Sequence, residues 1–148
     1  MEEVKVEYVQ LPSQKFEDVK VGTALVFTKT ISESDVYMYA GITGDFSPNH
    51  INAEYMKRGQ IGERIAHGAL LVGLMGSAAA RMRLGRTVSL GYDRVRFTAP
   101  VKFGDTITTN YVITEVDQQK KRIHSQVTCT NQRGETVGAA IHLRVFVG

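Results

Sequence analysis

An acid and an imidazole stand five positions apart in Gly44-Asp45-Phe46-Ser47-Pro48-Asn49-His50, with a proline between them. Pro48 fixes its own φ and pushes Ser47 toward extended geometry, so the chain must turn there and both side chains can face one cleft. An Asp and a His within reach of one water can take a proton from it and return a proton to carbon, as adding water across a double bond requires. The same spacing also suits a loop that Asp45 caps and His50 closes. A second stretch, Ile65-Ala66-His67-Gly68-Ala69-Leu70-Leu71, puts Gly68 in the first turn of an apolar helix. Backbone N–H groups there lack partners, and the helix dipole is positive. Glycine would let a carbonyl oxygen approach that N–H closely, so an enolate-like oxyanion formed from a thioester would be held there. The alternative is that Gly68 is only a tight packing point and His67 a helix-terminal residue satisfied by backbone.

Other chemistries find less support. His124 and His142 lie on the faces opposite the apolar stripes of their strands, which places both at a surface or an interface. Cys129, the single cysteine, cannot form an internal bridge. It sits on an apolar stripe, where a thiol acts as a small hydrophobe. The sequence has no metalloprotease helix motif, paired-cysteine zinc motif, serine elbow or phosphate-binding Gly-Lys-Ser loop. No metal site is therefore expected. Charge is unevenly spread: residues 1–53 carry four Lys/Arg against eight Asp/Glu, residues 54–96 eight against three, and residues 97–148 six against four. A basic middle third that includes Lys57, Arg58 and Arg64 could attract a phosphate-bearing ligand, or could be scattered solvated charge. No basic-aromatic interleaving points to nucleic acid.

The elements that must position these residues follow from periodicity and punctuation. The 148 residues suit one domain, with 43% hydrophobic and 22% charged content typical of a soluble globular chain. Thr23–Ile31 alternates as a strand. Ser32-Glu33-Ser34-Asp35 has the form of a capping box, and Val36, Tyr39, Ala40 and Thr43 recur at helical spacing after it. A short helix is expected near Ala53–Arg58. The uncharged run Ile65–Ala80 falls short of the ~20 apolar residues of a spanning helix and reads as a buried one. Its small residues let it approach its neighbours closely. Val88–Thr98, a strand marked by Ile107, Tyr111 and Ile113, Arg122–Cys129 and Thr136–Val147 read as four strands. In the last of them Val137, Ala139, Ile141, Leu143, Val145 and Val147 share one face at period two. Short polar connections join the later strands, which predicts an antiparallel meander. This order of elements is that of an α+β protein with a sheet wrapping one helix. The N-terminus, Met1-Glu2-Glu3-Val4-Lys5, is polar and lacks the apolar region of a signal peptide, so a cytoplasmic protein is expected.

The segment Gly41–Leu71 resembles the signature region of MaoC-like hydratases and dehydratases, which include the (R)-specific enoyl-CoA hydratases. Asp45, Pro48 and His50 match the family's catalytic loop, and His67, Gly68, Leu70 and Leu71 its helix start. Arg96-Phe97-Thr98-Ala99-Pro100-Val101-Lys102-Phe103-Gly104-Asp105 is similar to its Phe-x-x-Pro-Val-x-x-Gly-Asp strand junction. Ser47 stands where the family usually has Asn, and Asn49 where an aliphatic residue is common. Gly76, with Ser77 beside it, falls where several relatives carry an assisting serine. The resemblance implies a hot-dog fold, an antiparallel sheet around a long central helix, over the single domain 1–148. It implies reversible hydration of trans-2-enoyl-CoA to (R)-3-hydroxyacyl-CoA, an activity of fatty-acid metabolism. Asp45, His50 and the Gly68 N–H would be catalytic. Ser47 and His67 would serve substrate binding, and no cofactor is required; from the basic middle third, Lys57, Arg58 or Arg64 would meet the phosphates of the carrier. Acyl carrier protein could replace coenzyme A as the carrier, neither membrane nor nucleic acid is implied, and a homodimer or a higher assembly of dimers is expected. Two rivals share the fold: an acyl-CoA thioesterase, and a non-catalytic acyl-thioester-binding subunit of a heteromeric dehydratase.

Overall fold

The computed structural model describes residues 14–148. A 3-10 turn at Phe16–Asp18 precedes β1 (Ala24–Thr30), and the chain continues through α1 (Glu33–Thr43), α2 (Pro48–Ile51), α3 (Ala53–Lys57), α4 (Gly68–Arg81), β2 (Thr87–Phe97), β3 (Thr106–Asp117), β4 (Arg122–Thr130) and β5 (Thr136–Phe146). All five strands pair antiparallel in one sheet, ordered β1-β3-β4-β5-β2. α4 lies against β1, β3 and β4. This is the hot-dog arrangement that the resemblance implies.

Local chemistry explains where α1 and α4 begin. Ser32 Oγ accepts the Asp35 N–H at 3.1 Å, and the Asp35 carboxylate accepts the Ser32 N–H at 2.9 Å, so the predicted capping box closes in both directions. α4 starts at Gly68 and buries Leu71, Leu74, Met75, Ala78 and Ala79 against Ile107, Tyr111, Val127, Cys129, Val137 and Ala140. Burying side chains of this size contributes roughly 1.5–3 kcal/mol each for the larger ones, which is what holds the helix inside the sheet. β3, β4 and β5 form the expected meander. β2 joins at the far side of β5, and β1 pairs with β3.

The inward face of β5 differs from the sequence expectation. Val137 is fully buried, but from there on Ala140 and His142 point into the core, while Ala139, Ile141, Leu143 and Val145 are only partly covered. The cause is a register shift: Cys129 pairs with Gly138 and Thr130 with Thr136, leaving Val137 as an extra residue on β5. One inserted residue sends every later side chain to the other face. His142, expected at a surface or interface, is 1% exposed. Its two nitrogens find partners in Tyr111 Oη and Ser89 Oγ, both at 2.8 Å, and the Tyr92 ring stacks on it at 4.1 Å. Those bonds offset the cost of burying the imidazole.

Burial, and then the nearby Arg144 guanidinium, push the His142 pKa from 6.5 down to about 4. Between those values the unfolded chain binds a proton that the native state does not, so stability rises with pH across the window and is lost on acidification. This one group should remove about 1.4 kcal/mol of unfolding free energy per pH unit within it. Urea unfolding at about pH 7 and about pH 5 checks this: equal stabilities at the two values would contradict it. Carboxylates do not blur the result, because their own losses set in at lower pH.

Candidate active site

α1 ends at Gly44, which takes the left-handed conformation at φ 80° and returns its N–H to Ala40. The chain then folds onto itself. Asp45 Oδ1 accepts hydrogen bonds from the Ser47 N–H (3.2 Å) and the Ser47 hydroxyl (2.5 Å). Ser47 thus binds within the loop, at the position where Asn is usual in the family. Pro48 opens α2, its missing N–H harmless at a first helical position. His50 therefore sits on a short helix, and the site is not a simple turn.

α2 is stitched to the segment that leads into α4. Ile65 donates its N–H to the Asn49 carbonyl at 2.9 Å, and His50 Nδ1 lies 2.8 Å from the Ile65 carbonyl. A carbonyl oxygen only accepts, so Nδ1 carries a proton, and in the neutral ring it is Nε2 that presents a lone pair. That lone pair faces Asp45 Oδ2 across 3.9 Å. His67, the N-cap of α4, places Nε2 at 2.9 Å from the Asp45 backbone carbonyl. Its ring stacks on His50 with centroids 3.7 Å and planes 24° apart, and Tyr39 packs on it at 4.6 Å.

The electrostatics separate the two members of the Asp–His pair. Hydrogen bonds from the Ser47 hydroxyl and then the Ser47 N–H hold the Asp45 carboxyl below its ordinary range, so it is ionised at neutral pH. His50 is 6% exposed, while the Asp45 side chain is 47% exposed and meets His50 from the solvent side.

Beside the pair opens a cleft of about 450 Å³, within the range of small-molecule sites. Asn49, His50, His67, Gly68 and Leu71 form one wall, and Phe97 to Val101 the other. Asp45 is not part of either wall. No side chain caps α4, and Leu70 donates its N–H to the His67 carbonyl at 3.1 Å, which leaves the Gly68 N–H with no backbone partner among the described residues. A Cβ on Gly68 would stand 2.5 Å from the Phe97 ring, so glycine is what lets the two walls meet. Phe97 is a cleft residue that periodicity could not single out, although it lies in the strand-junction motif.

The basic candidates are placed elsewhere. Lys57 pairs with Glu54 at 2.7 Å on exposed α3, and Arg58 is exposed at the end of that helix. Arg64 bonds Glu33 (3.1 Å) and Tyr37 (2.9 Å) and covers the Phe103 ring. None of the three lines the cleft. Ser77 donates to the Gly73 carbonyl of its own helix, and the Tyr92 hydroxyl lies 3.4 Å from where a Cβ on Gly76 would be. Cys129 is buried, which pushes its thiol up and leaves it inert as expected.

Asp45, His50 and His67 each offer one metal-ligating atom, and the three atoms lie within 4.8 Å of one another. His67 Nε2 and His50 Nδ1 face carbonyls, which leaves His67 Nδ1 and His50 Nε2 as the nitrogens that could meet a shared ligand. The stacked rings hold their lone pairs in nearly parallel planes, whereas a metal needs lone pairs converging at about 2.1 Å.

Residues 16–134 match the family model described as MaoC like domain. The chain is 36% identical over 115 residues to the (R)-specific enoyl-CoA hydratase of Rhodospirillum rubrum, covering 78% of this chain and 80% of that protein. It is 33% identical to the 3-hydroxybutyryl-CoA dehydratase of Methylorubrum extorquens, over 78% of this chain and 73% of that one. The unliganded R-hydratase of Pseudomonas aeruginosa superposes with a TM-score of 0.81 at 32% identity, over 88% of this chain and 84% of that one.

Proposed function

The chain belongs to the MaoC-like domain family, and on that basis we propose that it is a lyase that reversibly hydrates trans-2-enoyl-CoA to (R)-3-hydroxyacyl-CoA. The observation that carries this reading is His50 Nε2 standing 3.9 Å from the Asp45 carboxylate, beside the cleft at the start of α4. That gap is shorter than two hydrogen-bond lengths, so one water can touch both groups. His50 Nε2 takes a proton from this water as its oxygen bonds to C3. The C2=C3 electron pair moves toward the thioester, and the resulting enolate oxygen accepts from the Gly68 N–H at the positive end of the helix. Because Asp45 starts ionised, it first receives the proton from the His50 imidazolium and then delivers it to C2, which returns both groups to their starting states. The thioester carbonyl is the electron sink, so the step calls for no cofactor.

Ser47 serves this reading by orienting Asp45; the carrier is coenzyme A or an acyl carrier protein, whose phosphates Lys57 and Arg58 would meet only beyond the cleft, while Arg64 is held by Glu33 and Tyr37. A homodimer, or a higher assembly of dimers, belongs to the same reading: Val88 and Leu90 on the edge strand β2 are each 47% exposed and are what such pairing would cover. The compartment it calls for is the cytoplasm, where coenzyme A thioesters occur. No helix among the described residues is long and apolar enough to cross a membrane.

The direct test mixes purified protein with crotonyl-CoA. Loss of the conjugated thioester absorbance without free thiol is the expected result. Thiol release with the double bond intact would mark a thioesterase, and tight binding without turnover a non-catalytic subunit.

A further inference from the structure

We propose that His67 is a positioning residue that locks Asp45 and His50 into one rigid unit through its ring stack and its bond to the Asp45 backbone. The inference rests on the hydratase reading above and replaces a role in substrate binding for this residue. His67 is 3% exposed, and its polar edges are accounted for unequally. Nε2 lies 2.9 Å from the Asp45 carbonyl, which can only accept. Nδ1 is buried and has no hydrogen-bond partner among the described residues. With an acceptor at Nε2 and none at Nδ1, the proton sits on Nε2.

The bond spans 22 residues and joins the first residue before α4 to the loop that carries the carboxylate. The stack at 3.7 Å fixes the plane of the His50 ring, while the Ile65 carbonyl fixes its rotation about that plane. One imidazole therefore sets the direction of the His50 lone pair and the height of Asp45 above it. A ring kept only for packing would be better replaced by a phenyl group, which leaves no buried polar atom without a partner. Small misplacement of catalytic groups costs roughly 10²-fold in rate.

The test uses His67→Phe, which keeps the stack but removes the donor. We expect kcat for crotonyl-CoA to fall roughly 10²-fold with KM little changed. Introducing the same change into an Asp45→Asn protein should cause almost no further loss, because the residue acts through Asp45. Additive losses in the double variant, or an effect confined to KM, would each overturn the proposal. Nitrogen-15 NMR of the unaltered protein gives a readout that needs no turnover: His67 should show a protonated Nε2 and a bare Nδ1, and His50 the reverse. The opposite His67 tautomer sinks the proposal even if the enzyme hydrates crotonyl-CoA. The expected tautomers with no hydration would support the positioning geometry and remove the hydratase reading. Should His67→Phe fail to fold, the tautomer assignment decides.

Discussion

His50→Gln should lower kcat/KM for crotonyl-CoA hydration by about 10²–10⁴, the range a positioned general base contributes. The substitution is chosen to spare the fold. A glutamine amide can still donate to the Ile65 carbonyl that His50 Nδ1 now holds at 2.8 Å, and it fills much of the same buried space. What it lacks is a basic nitrogen aimed at the gap in front of Asp45 Oδ2. If the loss fell on KM while kcat held, His50 would be a binding residue. Retention of full kcat/KM by a folded variant, with circular dichroism matching the unaltered protein, would remove the base from the proposed mechanism.

An Asp45→Asn protein should be impaired by at least about 10²-fold, for a reason that differs in kind. Asparagine keeps an oxygen to accept from the Ser47 N–H and hydroxyl, so the loop conformation survives. The amide that replaces Oδ2, however, donates. Placed 3.9 Å from the His50 Nε2 lone pair, it competes with water for that lone pair. It also removes the negative charge that stabilises the imidazolium formed when His50 takes the proton, and it has no acidic proton to hand to C2. Stopped-flow absorbance with saturating crotonyl-CoA separates these effects from weakened binding. Full activity in the folded variant would leave Asp45 with only the loop-capping role.

Much of this architecture is legible from neighbours in the chain. The Ser32/Asp35 capping box, the start of α4 at Gly68, and the inward stripes of β3 and β4 all appear as expected. The Asp45–His50 pair is legible for the same reason: Ser47 and Pro48 act on the backbone within a few residues, so the turn is a local event. In each case the hydrogen bond or period that decides the outcome is written within about one turn of chain.

His142 shows what is not local. Its strand has a clean period-two stripe in the sequence, yet the extra residue at Val137 reverses which face is buried, and only the pairing with β4 reveals the shift. The same holds for Phe97 over Gly68, for Arg64 committed to Glu33 and Tyr37, and for the position of β2 beside β5. Composition, periodicity and the two motifs determined the class of fold, the central helix and the residues able to move a proton. Tertiary packing alone decided strand register, which imidazole is buried in the core, and how His67 lies on His50. Those choices depend on contacts between segments distant in sequence, whose energies are settled only when the sheet closes on the helix.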